Sequence, residues 1–128
     1  MTDIAAALHD LLNERQLPLE EAVRRHFTDT YRQRTDGTWD DRAGFVQHIA
    51  HLRTIVANAT ITIRDELRDG DRYADRHIAH ITKQDGGEVV QEVYLFGTLA
   101  RDGRFDRVEE VTMMLDGDEG DRAIGSAH

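Results

Sequence analysis

The sequence contains no cysteine and only one proline, one lysine and one serine. Without cysteine there can be no disulfide bond, no thiolate metal site and no cysteine nucleophile. The only serine, Ser126, lies near the C-terminus, which argues against a Ser-His-Asp hydrolase. The seven histidines include no HExxH pattern, and no glycine-rich phosphate loop is present. We therefore expect neither a bound metal nor a cofactor.

Long apolar runs are also missing. No segment approaches the roughly 18 consecutive apolar residues that a membrane-spanning helix needs. The first residues show no basic region followed by an apolar stretch, so they do not resemble a secretion signal. These features predict a soluble, cytoplasmic protein that is not associated with membranes.

Positive charge is scarce relative to negative charge. The chain carries 25 acidic and 16 basic residues, for a formal net charge of −9. Such a surface repels phosphate backbones, and no lysine- or arginine-rich stripe offsets the repulsion. We therefore expect no nucleic-acid partner. About 39% of the 128 residues are apolar, which is enough for the core of one small domain.

Apolar residues recur at helical spacing in the first half of the chain. The spacing predicts a helix over residues 3–15, a second helix after Pro18 that continues to Thr30, and a third that begins at Asp40 or Asp41. A turn at residues 35–38 leaves room for a short strand over residues 31–34.

From residue 59 onward the apolar pattern alternates. It predicts four strands at residues 59–67, 72–83, 88–101 and 104–115, separated by Asp-Gly turns that favour antiparallel hairpins. Helices followed by a long meander define an α+β fold, in which a strongly curved antiparallel sheet and the N-terminal helices enclose a cone-shaped interior pocket. We expect one domain over residues 1–115 and an acidic, flexible tail over residues 116–128.

The order of these elements resembles the nuclear transport factor 2-like superfamily, and in particular its SnoaL-like polyketide cyclase branch. The resemblance covers about residues 18–115 and is carried most clearly by YADRHIAHITKQDGGEVVQEVYLFGTLARDGRFDRVEEVTMML. It implies an open cone fold and acid-base chemistry on a hydrophobic small molecule.

The resemblance also suggests site residues. Counted from the Asp-Gly-Arg turn at residues 102–104, Glu110 takes the position of a catalytic aspartate, and Arg76 lies on the strand that carries a pocket arginine in epoxide hydrolases. Those hydrolases have a second aspartate where this chain has Ile78. Ketosteroid isomerases have an acid on the penultimate strand, where this chain has Leu95, Gly97 and Leu99. Both reactions are therefore disfavoured.

Strand alternation predicts which residues accompany Glu110. It places Gln91 on the more apolar side of its strand, and Thr112 and Met114 on the same face as Glu110. Because His77 and His80 lie on opposite faces of one strand, at most one of them lines the pocket. His80 shares the face of Arg76 and is the predicted one.

Other residues are candidates with two readings each. His48 is either a proton shuttle or a half-buried structural histidine. Tyr31 and Gln33 are placed at the pocket mouth, although Tyr31 is equally suited to the core. Trp39 is either a lid or a staple on the third helix. Glu110 itself is either a general acid-base group with Arg76 or a structural ion pair with it.

Two kinds of function fit these residues. The first is a cofactor-independent cyclase, isomerase or dehydratase that uses Glu110, Arg76 and His48. The second is a non-catalytic ligand-binding protein or dimeric scaffold of the same fold. Apolar residues on both faces of the strands also predict a homodimer formed through the outer face of the sheet.

Overall fold

A computed structural model of the chain describes residues 3–121 and residue 124. Three helices lie in the first half of the chain, and the first two strands separate the second helix from the third: α1 (Ile4–Leu12), α2 (Leu19–His26) and α3 (Arg42–Ile55). Aspartate side chains cap the N-termini of α1 and α3. The Asp3 carboxylate accepts a hydrogen bond from Ala6 N, and the Asp41 carboxylate accepts one from Gly44 N, each at 2.8 Å. Within the described residues, no helix is long and apolar enough to cross a membrane.

The sheet has six strands in the order β2-β1-β6-β5-β4-β3. All neighbours are antiparallel except β1 and β6, which run parallel. The sheet curls around the three helices without closing, so the α+β cone fold predicted from the sequence is confirmed. The strands span β1 (Phe27–Thr35), β2 (Thr38–Asp40), β3 (Val56–Asp69), β4 (Arg72–Lys83), β5 (Glu88–Leu99) and β6 (Phe105–Asp116).

The second helix is shorter than predicted. It ends at His26, and Phe27 begins β1 instead of extending the helix towards Thr30. Phe27 and Tyr31 are four residues apart, a spacing that places side chains on one face of either a helix or a strand. Their rings pack edge to face at 4.6 Å in the core, while the hydroxyls of Thr28 and Thr30 donate to Asp106 on β6. These contacts favour the strand.

The end of the chain differs from the predicted flexible tail. Asp116 completes β6, and residues Glu119–Asp121 form a short 3₁₀ helix. Lys83 Nζ donates to Asp121 Oδ1 at 2.9 Å, and Ile124 is buried in the core cluster. These contacts hold part of the acidic segment against the domain. The rest of that segment, including Ser126, lies outside the described residues.

Candidate active site

A small cavity lies between the concave face of the sheet and helices α1 and α3. Its volume is about 90 Å³, and most of its walls are apolar. The rings of Phe27, Tyr31 and Phe45 pack with centroids 4.6–4.9 Å apart, and all three residues line the cavity. The polar side chains in the wall are those of Tyr31, Gln33, His48, His77, Gln91, Glu110 and Thr112.

Glu110 is held by a chain of hydrogen bonds along β1. The Tyr31 hydroxyl donates to Gln33 Oε1 at 2.6 Å, and Gln33 Nε2 donates to Thr35 Oγ1 at 2.9 Å. Thr35 Oγ1 and Gln33 Nε2 both donate to Glu110 Oε1, at 3.1 and 3.2 Å. The register that pairs Thr35 with Glu110 and Gln33 with Val108 brings these side chains to one face. Among the described residues, Glu110 Oε2 has no hydrogen-bond partner.

Burial sets the protonation of Glu110. Removal of the carboxylate from water raises the pKa of Glu110 to about 7, although the charge of His77 and the Thr35 hydrogen bond act in the opposite direction. The negative charges of Asp36 and Asp75 raise it further. At neutral pH the group is therefore a mixture of acid and base forms, the condition in which a carboxyl can both take and return a proton.

A buried histidine-aspartate pair lies on the same concave face. His77 Nδ1 and Asp75 Oδ1 are 2.7 Å apart, and both side chains are almost fully buried. Because Nδ1 is engaged by the carboxylate, Nε2 is the ring nitrogen that can interact with a molecule in the cavity. Asp75 fixes the orientation of the ring. His77 pairs with Val93, which pairs with Thr112, so the imidazole lies diagonally across the sheet from Glu110.

Gln91 and His48 complete the polar groups of the wall. Gln91 is buried, and within the described part of the chain its Nε2 has no hydrogen-bond partner. A buried amide donor without a partner costs about 1–3 kcal/mol, so an acceptor oxygen in the cavity would be stabilised there. His48 is also buried and faces the cavity from α3.

Arg76 does not lie beside Glu110, contrary to the sequence-based expectation. It is on the outer face of β4, where its guanidinium pairs with Asp65 at 3.0 Å and with Glu92 at 3.6 Å. His80 shares this outer face and pairs with Glu88 at 3.4 Å, so its predicted place in the pocket is also wrong. The inward residues of β4 are those with odd numbers, from Tyr73 to Ile81.

Of three further predicted binding residues, Thr112 lines the cavity as predicted, whereas Trp39 and Met114 do not. Trp39 lies on β2 and is 44% exposed, and the Arg32 guanidinium carbon is 4.5 Å from the centroid of the Trp39 ring. Trp39 therefore neither covers nor lines the cavity. Thr112 lines the cavity, but its hydroxyl donates to Asp36 Oδ2 at 2.5 Å. Met114 packs against the core without lining the cavity.

Asp75 and His77 were not among the predicted site residues. The hairpin between β4 and β5 has an even register, which pairs Ile81 with Val89 and His77 with Val93. Residues of equal parity on the two strands therefore share a face. The sequence pattern correctly placed the odd-numbered residues of β5 on the core side. The same choice applied to β4 would have placed Asp75 and His77 on that side as well. Among residues 3–121, no three His, Asp or Glu side chains form a cluster suited to a metal ion.

A fission-yeast protein is similar to this chain in sequence. It is C11D3.04c of Schizosaccharomyces pombe, itself uncharacterised, and it is 34% identical over 109 residues that make up 83% of this chain and 81% of the yeast protein. No protein-family model matches the chain.

Solved structures share the fold at low sequence identity. A candidate polyketide cyclase from Streptomyces antibioticus, IdmH, superimposes with a TM-score of 0.67 at 18% identity, over 85% of this chain and 88% of its own. A candidate isomerase of the SnoaL-like family from Agrobacterium tumefaciens gives 0.62 at 17%, over 88% and 92%. A nuclear transport factor 2-like protein of unknown function from Exiguobacterium gives 0.65 at 17%, over 84% and 95%.

The fold and these similarities agree with one another. The chain belongs to the same family as the fission-yeast protein, and it shares the fold of the nuclear transport factor 2-like and SnoaL-like structures.

Proposed function

We propose that the protein is a cofactor-independent acid-base enzyme that moves a proton on a small, mostly apolar molecule held in the cavity. One observation carries the proposal: Glu110 lies in an apolar cavity with its pKa raised to about 7 and with one carboxylate oxygen free of hydrogen bonds from the described residues. Structural carboxylates more commonly have their charge neutralised by a cation, and here the nearest engaged groups are neutral donors.

The chemistry that best fits these groups is proton abstraction next to a carbonyl. Glu110 Oε2 takes the proton as the C–H bond breaks, and the electron pair moves to the carbonyl oxygen to form an enolate. The Gln91 amide donates a hydrogen bond to that oxygen. Because His77 Nδ1–H is directed at Asp75, Nε2 supplies a second donor in the protonated form of the ring. The protonated Glu110 then returns the proton to another atom of the same molecule, so that isomerisation or ring closure needs no other reactant.

The size of the cavity limits the substrate. Its 90 Å³ is below the roughly 300–1,000 Å³ of pockets that hold drug-sized ligands. A small ring compound is the best match to the cavity as it stands. A polycyclic substrate would require α1 or α3 to move away from the sheet. The descriptions of the A. tumefaciens and S. antibioticus neighbours, a candidate isomerase and a candidate cyclase, agree with this class of reaction.

A second candidate function is ligand binding without chemistry. The walls of the cavity are mainly apolar, and a protein that only stores or senses an apolar molecule needs little more. The two functions differ in what Glu110 contributes, because a binding protein tolerates its replacement by glutamine while an acid-base enzyme does not.

Hydrogen-deuterium exchange at carbon tests the proposal without knowledge of the natural substrate. A panel of small cyclic ketones and 1,3-diketones would be incubated in D₂O at pD 7, and loss of the α-proton signal would be followed by ¹H NMR. The wild-type protein is expected to accelerate exchange for at least one compound, and Glu110→Gln to lower that rate about 10²–10⁴-fold.

The matched control is Glu109→Gln, which removes an acid from the adjacent, outward-facing position. It is expected to retain the wild-type exchange rate. A compound that shifts the NMR resonances of the protein, but whose α-protons exchange no faster than in buffer alone, would support the binding function. Equal rates for the wild type and Glu110→Gln would exclude Glu110 as the proton acceptor.

A further inference from the structure

The turn between β1 and β2 brings Asp36 against the strand that carries Glu110. Thr35 pairs with Thr38, so the hairpin loop consists of Asp36 and Gly37 alone. Their φ angles are 50° and 90°, and positive values at both positions are typical of a type I′ turn, for which Asp-Gly is a favoured sequence. Asparagine and glycine adopt this conformation as readily, so either can replace Asp36 without breaking the turn.

Asp36 makes three hydrogen bonds to β6. Its main-chain N–H donates to Glu110 O at 3.0 Å. Its carboxylate accepts from Thr112 twice, with Oδ1 from the main-chain N at 2.8 Å and with Oδ2 from Oγ1 at 2.5 Å. Because the two partners flank Val111, a single residue of the turn holds β6 on both sides of that position.

These bonds lie where the pairing of β1 with β6 ends. The last pair of the parallel ladder is Thr35 with Glu110, and beyond it β6 continues to Asp116 beside β5. In a regular parallel ladder, the residue that donates to Glu110 O would accept from Thr112 N through its own carbonyl. Here the side chain of Asp36 accepts that bond, while the main chain turns away into β2. The carboxylate therefore completes the ladder at the point where Glu110 lies.

The side chain of Glu110 is held from the same turn. Thr35, the residue before Asp36, donates from Oγ1 to Glu110 Oε1 at 3.1 Å. Thr35 is buried and Asp36 is exposed, so two consecutive residues hold the carboxyl from within the domain and the main chain from its surface. Accurate placement matters for a group that takes a proton, since a displacement of about 1 Å can lower a rate on the order of 10²-fold.

We propose that Asp36 is a positioning residue of the site: its hydrogen bonds to Glu110 O and to Thr112 fix β6 at its junction with β1 and keep the Glu110 carboxyl in the cavity wall. Asp36 is not among the residues that line the cavity, so it acts through Glu110 and not on the substrate. Its effect on catalysis rests on the proposed function. Its effect on the placement of the carboxyl does not, and can be measured without a substrate.

Two variants separate the placement of the carboxyl from the charge beside it. Asp36→Asn keeps the turn and an acceptor oxygen for Thr112 but removes the negative charge, whereas Asp36→Gly keeps the turn and removes both. The charge of Asp36 raises the pKa of Glu110, so each variant is expected to lower the midpoint of that carboxyl in a ¹³C NMR titration. Asp36→Gly is expected to lower it further, because a loosely held carboxyl gains contact with water. Asp75 and His77, which also act on Glu110, are the same in both variants.

The kinetic readout is the α-proton exchange of an active compound. Asp36→Gly is expected to lower kcat about 10–100-fold with little change in KM, and Asp36→Asn to retain most of the wild-type rate. The control is Asp71→Gly, which makes the same change in the two-residue turn between β3 and β4. It is expected to retain the wild-type rate and the wild-type midpoint of Glu110.

A second pair of variants tests the contact from the side of β6. Thr112→Val removes the hydroxyl that Asp36 binds and is expected to lower kcat, and Thr112→Ser keeps that hydroxyl and is expected to restore it. These variants decide the question if Asp36→Gly proves unfolded by urea titration. Equal midpoints of Glu110 in Asp36→Asn and Asp36→Gly would overturn the positioning role, since charge alone would then account for both. A wild type that accelerates no exchange would contradict the proposed function and leave the comparison of midpoints to decide the role of Asp36.

Discussion

Replacement of Glu110 by glutamine is expected to stabilise the protein at neutral pH, which is unusual for a substitution in a site. The partly buried Glu110 carboxyl has a pKa of about 7 in the folded protein, against an ordinary value of 4.5. Ionisation is therefore easier in the unfolded chain, and it draws the equilibrium towards unfolding. Glutamine keeps an oxygen that accepts from Gln33 and Thr35 but cannot ionise.

The size of the effect follows from the shift. Each pKa unit corresponds to about 1.4 kcal/mol, so a displacement from 4.5 to about 7 amounts to roughly 3 kcal/mol as an upper value. Below pH 4.5 the carboxyl is protonated in both states and the penalty is absent. The penalty grows as the pH rises from 4.5 and reaches its full value above 7. Wild-type stability relative to the variant is thus highest in acid and is lost with rising pH.

Urea unfolding of both proteins at pH 4 to 8 measures this difference directly. The free energy of unfolding of Glu110→Gln minus that of the wild type is expected to rise by about 2–3 kcal/mol between pH 4 and pH 8. Glu109→Gln, at the neighbouring outward-facing position, is expected to change by less than about 0.5 kcal/mol over the same range. A difference that is constant with pH would refute the raised pKa of Glu110 and the reasoning built on it.

Three further changes probe the surroundings of the site. Asp106→Asn is expected to destabilise the protein by about 1–2 kcal/mol at pH 7, because two threonine hydroxyls donate to the carboxylate and hold its pKa below 3.8. In urea unfolding, the difference between the variant and the wild type should shrink as the pH falls towards the lowered pKa of Asp106. Lys83→Met removes the contact with Asp121 and is expected to lower the unfolding free energy slightly in the same assay. No change would mean that the contact does not hold the C-terminal segment. Tyr31→Phe leaves Gln33 Oε1 without its donor and is expected to cost about 1–2 kcal/mol by thermal unfolding; an unaltered midpoint would show that water replaces the hydroxyl.

The sheet was the part of the fold that the sequence predicted best. Asp-Gly turns separate its strands. Alternation within β5 placed Gln91 on the apolar side, the family resemblance placed Glu110 in the pocket, and both residues line the cavity. The boundary at Phe27 was missed because a spacing of four residues fits a helix and a strand equally. The parallel pairing of β1 with β6, which brings Gln33 and Thr35 to Glu110, joins residues about 75 positions apart and has no local signal.

The site was predicted only in part for a related reason. Arg76 was paired with Glu110 by resemblance, yet the register of the β4–β5 hairpin places it on the outer face with Asp65. Alternation shows which residues of one strand share a face, but the choice between faces depends on the neighbouring strand. In β4 both sets contain apolar and charged residues, so composition could not decide. The Asp75–His77 pair occupies the face that the sequence analysis left aside.

The central claim is that a carboxyl in the cavity changes protonation near neutral pH. A ¹³C NMR titration of the Glu110 side-chain carboxyl, assigned by comparison with Glu110→Gln, measures this most directly. The expected midpoint is about 7, and it should shift on addition of any compound whose α-proton exchange the protein accelerates. A midpoint below about 5 would contradict the claim, since Glu110 would then be an ordinary carboxylate that stays ionised at neutral pH.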